Sequence, residues 1–253
     1  MRLKVYLRFI LSLQPCKFPN PRGFAPNFVA NLKFVFMKNN STLYHFVIDR
    51  SGSMSGMEQE VVSGFNSQVE TIKKLQTELA EQHFLMSLTI FDSEVENLVL
   101  PTPIKEITQI NTEQFKPRGM TALLDAIGKS IAQIEFSYGE VLKENLMSVV
   151  MVIITDGQEN ASAYFNYHEI AKQIAARDAK DNWTFNFIGC DFDAIHTSRM
   201  LNIKRENVMN MNKEDYQHVS QKVSQSMSYY AKEKRSGKFV KNLFHNFKED
   251  ENL

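Results

Sequence analysis

The sequence predicts an α/β fold: a doubly wound, mostly parallel central sheet with one antiparallel edge strand and helices on both faces. Three observations predict it. Two short apolar runs, one from Leu43 to Ile48 and one from Met147 to Ile154, lead into aspartates, Asp49 and Asp156. That is how buried parallel strands run out into ligand-bearing loops. Strand-like and helix-periodic segments alternate along the chain, the pattern of a parallel sheet covered on both sides. His83–Phe91 and Glu94–Leu100 are rich in β-formers and separated only by Asp92 and Ser93, which gives a hairpin and hence an antiparallel edge.

Taken in order, the first strand ends at Asp49. A long helix follows, with Met57, Val61, Phe65, Val69, Ile72, Leu75 and Leu79 at helical spacing. Ser55-Gly56-Met57-Glu58 reads as a capping box, which starts the helix directly after the loop and turns its positive dipole end toward an incoming anion. Pro101 and Pro103 end the hairpin. Residues 104–120 are irregular and polar and deliver Thr121. The helix from Ala122 places Leu123, Ile127, Ile131 and Ile134 on one face. Beyond Asp156 comes the polar loop Gln158-Glu159-Asn160-Ala161-Ser162, which is either solvated or a partner contact. A helix near His168 to Asp181, a strand from Trp183 to Ile188, a short helix from Ile195 to Leu201, a strand from Asn207 to Met211 and a helix from Tyr216 to Lys232 complete the domain, expected over 41–235. The segment 236–253 reads as a polar tail, with Phe239, Phe244 and Phe247 as exceptions that either fray or dock.

Bulk properties bound the function. At 253 residues and 43% hydrophobic the chain suits one soluble domain. Residues 1–40 carry seven Lys or Arg and no acid, leaving 22 basic against 29 acidic residues in the remainder. A mildly acidic domain argues against a nucleic-acid groove. Cys16 and Cys190 form no disulfide framework, which fits a reducing, cytoplasmic setting. No run has transmembrane length, so no membrane role is expected. The basic N-terminal extension, 1–40, is interrupted by Arg8 and by Pro15, Pro19, Pro21 and Pro26, so neither a signal peptide nor a regular element fits well. Met37 is the expected true start, with residues 1–36 outside the fold.

The chemistry lies at the ends of the two apolar strands. Asp49, Ser51 and Ser53 alternate just past the first. Thr121 heads a helix, and Asp156 closes the second strand. Converging, they would form a cluster of hard oxygens suited to a small divalent cation. Asp49-x-Ser51-x-Ser53, Thr121 and Asp156, in that order and on those elements, resemble the metal-ion-dependent adhesion site of von Willebrand factor A domains. The resemblance spans roughly residues 41 to 235. Phe187-Ile188-Gly189-Cys190-Asp191 is also similar to small, stand-alone bacterial and phage members.

The resemblance implies a Rossmann-like fold and a site in which Ser51, Ser53 and Thr121 ligate the cation directly, with Asp49 and Asp156 acting directly or through water. It implies no catalysis. Magnesium or manganese suits such a site better than calcium, which takes more ligands. Zinc does not suit it, because no Cys or His takes part. Neutral hydroxyls would leave the cation electrophilic, so the implied role is a protein-binding module that engages an Asp or Glu of a protein partner. The runner-up is a metal-dependent phosphohydrolase with Asp49 as nucleophile, weakened because Ser51 stands where its second acid is needed. A third reading gives the metal a stabilising role alone. His45 and His83 read as structural, and His168 and His196 as surface residues. Met57 reads as core, while Met54 and Met120 are candidates for an apolar rim around the site.

Overall fold

The structure, a computed structural model, describes residues 40–190, 194–238 and 240–244, without the side chain of Cys190. The expectations for residues 1–36, the start at Met37, Cys16, Asp191, Phe239 and Phe247 lie outside the described residues. The elements are β1 (Ser41–Asp49), α1 (Glu58–Glu78), β2 (His83–Phe91), β3 (Val95–Pro103), α2 (Leu123–Lys143), β4 (Met147–Thr155), α3 (Tyr167–Asp178), β5 (Trp183–Cys190), α4 (Ala194–Met200), β6 (Val208–Met211) and α5 (Tyr216–Arg235). The strands form one sheet in the order β3-β2-β1-β4-β5-β6. Every pairing is parallel except β2 with β3.

Position in the sheet explains composition. β1 and β4 are central neighbours and are buried along their whole length, which is why they read as unbroken apolar runs. β3 is the antiparallel edge strand and is only partly buried. It continues through Pro101 to Pro103, further than expected, because an edge strand tolerates residues that cannot donate to a ladder.

Tyr44, Phe46 and Ile48 point to one face and pack with Phe65, Val69 and Ile72 of α1 and with Val223 and Met227 of α5. The seven apolar positions predicted for α1 are all buried. α1 and α5 approach closely at Gly64, where a Cβ would lie 2.9 Å from the Tyr216 ring, and Gln68 Nε2 donates to Ser220 O at 2.9 Å. α2 covers the opposite face, against β1, β2 and β4.

Three local expectations are revised. The capping box at Ser55 does not form: Ser55 Oγ donates to Gly52 O at 2.8 Å, closing a 3-10 turn at Gly52–Met54, and α1 begins at Glu58 without a side-chain cap. His45 is buried against Ser87, but His83 is exposed at the start of its strand. The irregular segment 104–120 is anchored by Ile104, Ile107, Ile110 and Phe115, all buried. Past α5, Leu243 and Phe244 are buried, and Asn207 clasps the backbone there, donating to Lys241 O at 2.7 Å and accepting from Leu243 N at 3.2 Å. Among the described residues no helix is long and apolar enough to cross a membrane.

Candidate metal centre

β1 and β4 end side by side at the carboxyl edge of the sheet, which places Asp49 and Asp156 in adjacent loops. Asp49 is fully buried. Its Oδ1 accepts from Ser51 N at 2.6 Å and its Oδ2 accepts from Thr155 Oγ1 at 2.6 Å. Burial pushes the Asp49 carboxyl up to about 6, against the opposing effect of the Thr155 and Ser51 hydrogen bonds. Ser51 Oγ lies 3.0 Å from Ser53 Oγ, and Ser53 Oγ donates to Asp156 Oδ1 at 2.5 Å. Four of the five side chains singled out in the sequence therefore form one continuous polar chain.

Thr121 completes the ring from across Gly157. A Cβ at position 157 would lie 2.8 Å from Thr121 Oγ1, 3.4 Å from Ser53 Oγ and 3.6 Å from Asp49 Oδ2. The space on which these three oxygens converge is open because residue 157 has no side chain. The donor set is three neutral hydroxyls and two carboxylates, without nitrogen or sulfur. Such a set and such a cradle fit a small hard divalent cation.

Several residues that sequence reasoning passed over hold this geometry. The loop before Thr121 is laced to the Asp49 loop: Gly52 N donates to Gly119 O at 3.1 Å and Arg118 N to Arg50 O at 2.9 Å. Gly119 has φ +65° and approaches Ser93, a conformation open to glycine at little cost. Arg50, the first variable residue of the Asp49-x-Ser51-x-Ser53 motif, is buried and donates to Asp92 Oδ2 from Nε and Nη2, at 3.1 and 2.8 Å. Burial would raise the Asp92 carboxyl, but hydrogen bonds from Glu94 N, Arg118 and Arg50 carry it below its ordinary value. Asp92 O accepts from Ala122 N at 2.9 Å and Ser93 Oγ from Met120 N at 3.0 Å, so the hairpin turn carries the Thr121 segment.

The loop 158–162 is a brace. Glu159 accepts from Leu124 N, Ala161 N and Ser162 N, and Asp125 accepts from Ala163 N, Tyr164 N and Phe165 N. The carboxylate at the first turn of α2 and the loop thus satisfy each other's free N–H groups. A polar loop of mixed composition gives no sequence signal for this, since its partners lie more than thirty positions away.

The remaining surroundings are mixed. Met54 is fully buried in the core, as is Met57, so Met54 forms no rim; its 3-10 turn points the side chain inward. Met120 is 55% exposed beside Thr121, and Tyr164 is exposed with Lys129 Nζ 4.6 Å from its ring centre. The start of α1 carries Glu58 and Glu60, which offset the positive helix end expected to attract an anion. The cation at the centre is instead Lys213, whose Nζ lies 2.8 Å from Asp156 Oδ2.

With this geometry in place, the comparisons with solved structures bear on it. A von Willebrand factor type A structure from Catenulispora acidiphila aligns over 76% of this chain and 43% of its own, with 12% identity and a TM-score of 0.53. Proximal thread matrix protein 1 from the mussel byssus aligns over 75% of this chain and 46% of its own, with 14% identity and a TM-score of 0.52. This chain therefore spans less than half the length of either. No protein-family model matches the sequence, and no curated protein does. The fold is that of von Willebrand factor A domains, an α/β, Rossmann-like sheet with one antiparallel edge.

Proposed function

We propose that the chain is a divalent-cation-dependent protein-binding module. Asp49, Ser51, Ser53, Thr121 and Asp156 would hold magnesium or manganese, and the cation would engage an Asp or Glu of a protein partner. The observation that carries this reading is the open point beside Gly157, ringed by the oxygens of Thr121, Ser53 and Asp49. A buried carboxylate such as Asp49 is costly without positive charge nearby, and a cation at that point supplies it.

The residues have distinct parts in this scheme. Thr155 and the Ser51 amide fix the two oxygens of Asp49, so its orientation is set before a cation arrives. The hydroxyls of Ser51, Ser53 and Thr121 contribute no charge, which leaves the cation able to attract an external carboxylate. Exposed Met120 would add an apolar contact beside it. A cytoplasmic setting, and kinship with the small bacterial and phage members, belong to the same proposal.

The phosphohydrolase alternative gains nothing from the geometry. Asp49 is fully buried and both its oxygens accept hydrogen bonds, a poor posture for a nucleophile. The test is calorimetry with Mn2+ and affinity capture of partners with and without EDTA. One Mn2+ site per chain, lost in Asp156→Ala, together with EDTA-sensitive capture, is expected. Partner binding indifferent to EDTA and to Thr121→Ala would place recognition on another surface.

A further inference from the structure

Lys213 has no role in the reading above, and nothing in the sequence motif calls for it. It opens the 3-10 turn Lys213–Asp215 that joins β6 to α5. From there its side chain reaches the carboxyl edge of the sheet. Its Nζ donates to Ser53 O at 2.5 Å and lies 2.8 Å from Asp156 Oδ2. That oxygen is buried, and the lysine stands off its hydrogen-bonding directions, so the contact is a charge pair. The side chain of Lys213 is 34% exposed, so its ammonium is partly within reach of solvent.

We propose that Lys213 is a tethered competitor for the metal centre, which sets how readily the centre takes up a divalent cation. The inference rests on the metal-binding function proposed above. Two of the five site residues are charged, both negative, and Lys213 already neutralises one of them. An incoming cation therefore meets a centre with half its charge spent and a like charge fixed beside it. Like charges at this range repel, and the partly buried setting screens them weakly. The nearest acids on the same turn, Glu214 and Asp215, are exposed and solvated, and they offset Lys213 little.

The tether is firm at both ends. The turn runs directly into α5, whose first residues pack on Gly64 of α1, and the ammonium is held by the Ser53 carbonyl as well as by Asp156. Once a cation is bound, the same lysine keeps the centre more positive than the five predicted residues alone would. The device makes the centre reluctant to load and, when loaded, more attractive to an anion.

The experiment is Mn2+ titration by calorimetry on the full chain, wild type against Lys213→Met and Lys213→Arg. Removing the charge is expected to tighten Mn2+ binding about ten-fold. Lys213→Arg, which keeps the charge, is expected to stay near wild type; a purely structural lysine would leave Mn2+ affinity unchanged or weaker in the folded neutral variants. Lys213→Gln serves as a second neutral variant should Lys213→Met fail to fold, as judged by circular dichroism. Unchanged or weaker Mn2+ binding in the folded neutral variants, with wild type binding normally, overturns the inference and leaves the metal centre standing. No Mn2+ binding by wild type or any variant overturns both.

Discussion

Asn160 grips Thr121 through both of its backbone groups: Thr121 N donates to Asn160 Oδ1 at 2.8 Å, and Asn160 N donates to Thr121 O at 3.1 Å. Ala161 N adds a second bond to the same carbonyl at 3.2 Å. The loop after Asp156 therefore positions Thr121, a residue of the loop before α2. Asn160→Ala removes only the side-chain acceptor. It is expected to weaken Mn2+ binding about five-fold, the equivalent of one ordinary hydrogen bond of ~1 kcal/mol. Calorimetry on the variant measures this, and unchanged affinity would show that the backbone contacts suffice.

Gly157 supports a sharper expectation. Its φ is not in the left-handed region, so alanine is conformationally acceptable, and the whole effect of Gly157→Ala comes from where the methyl goes. It would stand 2.8 Å from Thr121 Oγ1, inside the ring of oxygens. Mn2+ binding is expected to fall more than about ten-fold while the melting temperature moves by only a few degrees, as for a substitution confined to a loop. Retained Mn2+ affinity would mean that the cation does not sit at this point.

Asp92 is expected to matter for stability as well as for the site. Its side chain and that of Arg50 are almost wholly buried, and Arg118 closes on the same oxygen at 3.0 Å. Removing one partner of a buried pair leaves the other charge uncompensated, a cost of about 3–5 kcal/mol. Asp92→Ala should fall toward the low end, because Arg50 keeps Glu96 at 3.1 Å. Urea denaturation reads the loss directly. Arg118→Ala, whose side chain is exposed, should cost far less.

How much of this was legible in the sequence depends on how local each signal is. The strands β1 and β4 were plain because burial on both faces writes an unbroken apolar run. The five oxygen-bearing residues stood out because they lie at or just beyond the ends of β1 and β4 and just ahead of α2. What holds those residues was not. Asp92 pairs with Arg50 across 42 positions, Asn160 meets Thr121 across 39, and Lys213 reaches Ser53 across 160. Charged and amide residues in loops look solvated until topology brings them together. Ser55 erred in the other direction. Its spacing to Glu58 matches a capping box, but the tight 3-10 turn at Gly52–Met54 claims its hydroxyl first.

Two bases, buried His45 and half-buried Lys234, each contribute to the pH dependence of stability with a known sign. His45 is buried with Nδ1 2.7 Å from Ser87 Oγ and its Nε2 without a partner, and burial lowers it to about 3. The unfolded chain takes up that proton below about 6.5 and the native chain does not, so the His45 contribution to stability falls as pH drops from about 6.5 toward 3. Lys234 sits at the amino end of the sheet, its Nζ 2.6 Å from Ser41 O and 3.0 Å from both Thr42 Oγ1 and Ser148 Oγ, with only neutral oxygens for company. Burial lowers it to about 7. Between about 7 and 10.4 the unfolded chain holds a proton that the native chain releases, so stability rises with pH across that window. Below about 7 both states are protonated and the penalty is constant. Between about 3.8 and 6 the native Asp49 carboxyl holds a proton that the unfolded chain has released, which opposes the His45 contribution, so midpoints are expected to change little there. They should then climb in one clear ramp from about pH 7 to 10. His45→Gln should leave midpoints falling as pH rises from about 4 to 6, and Lys234→Met should flatten the alkaline ramp alone. A wild-type profile that is level from pH 7 to 10 would show that Lys234 keeps its proton in the native state, with its three oxygens compensating the buried charge in full.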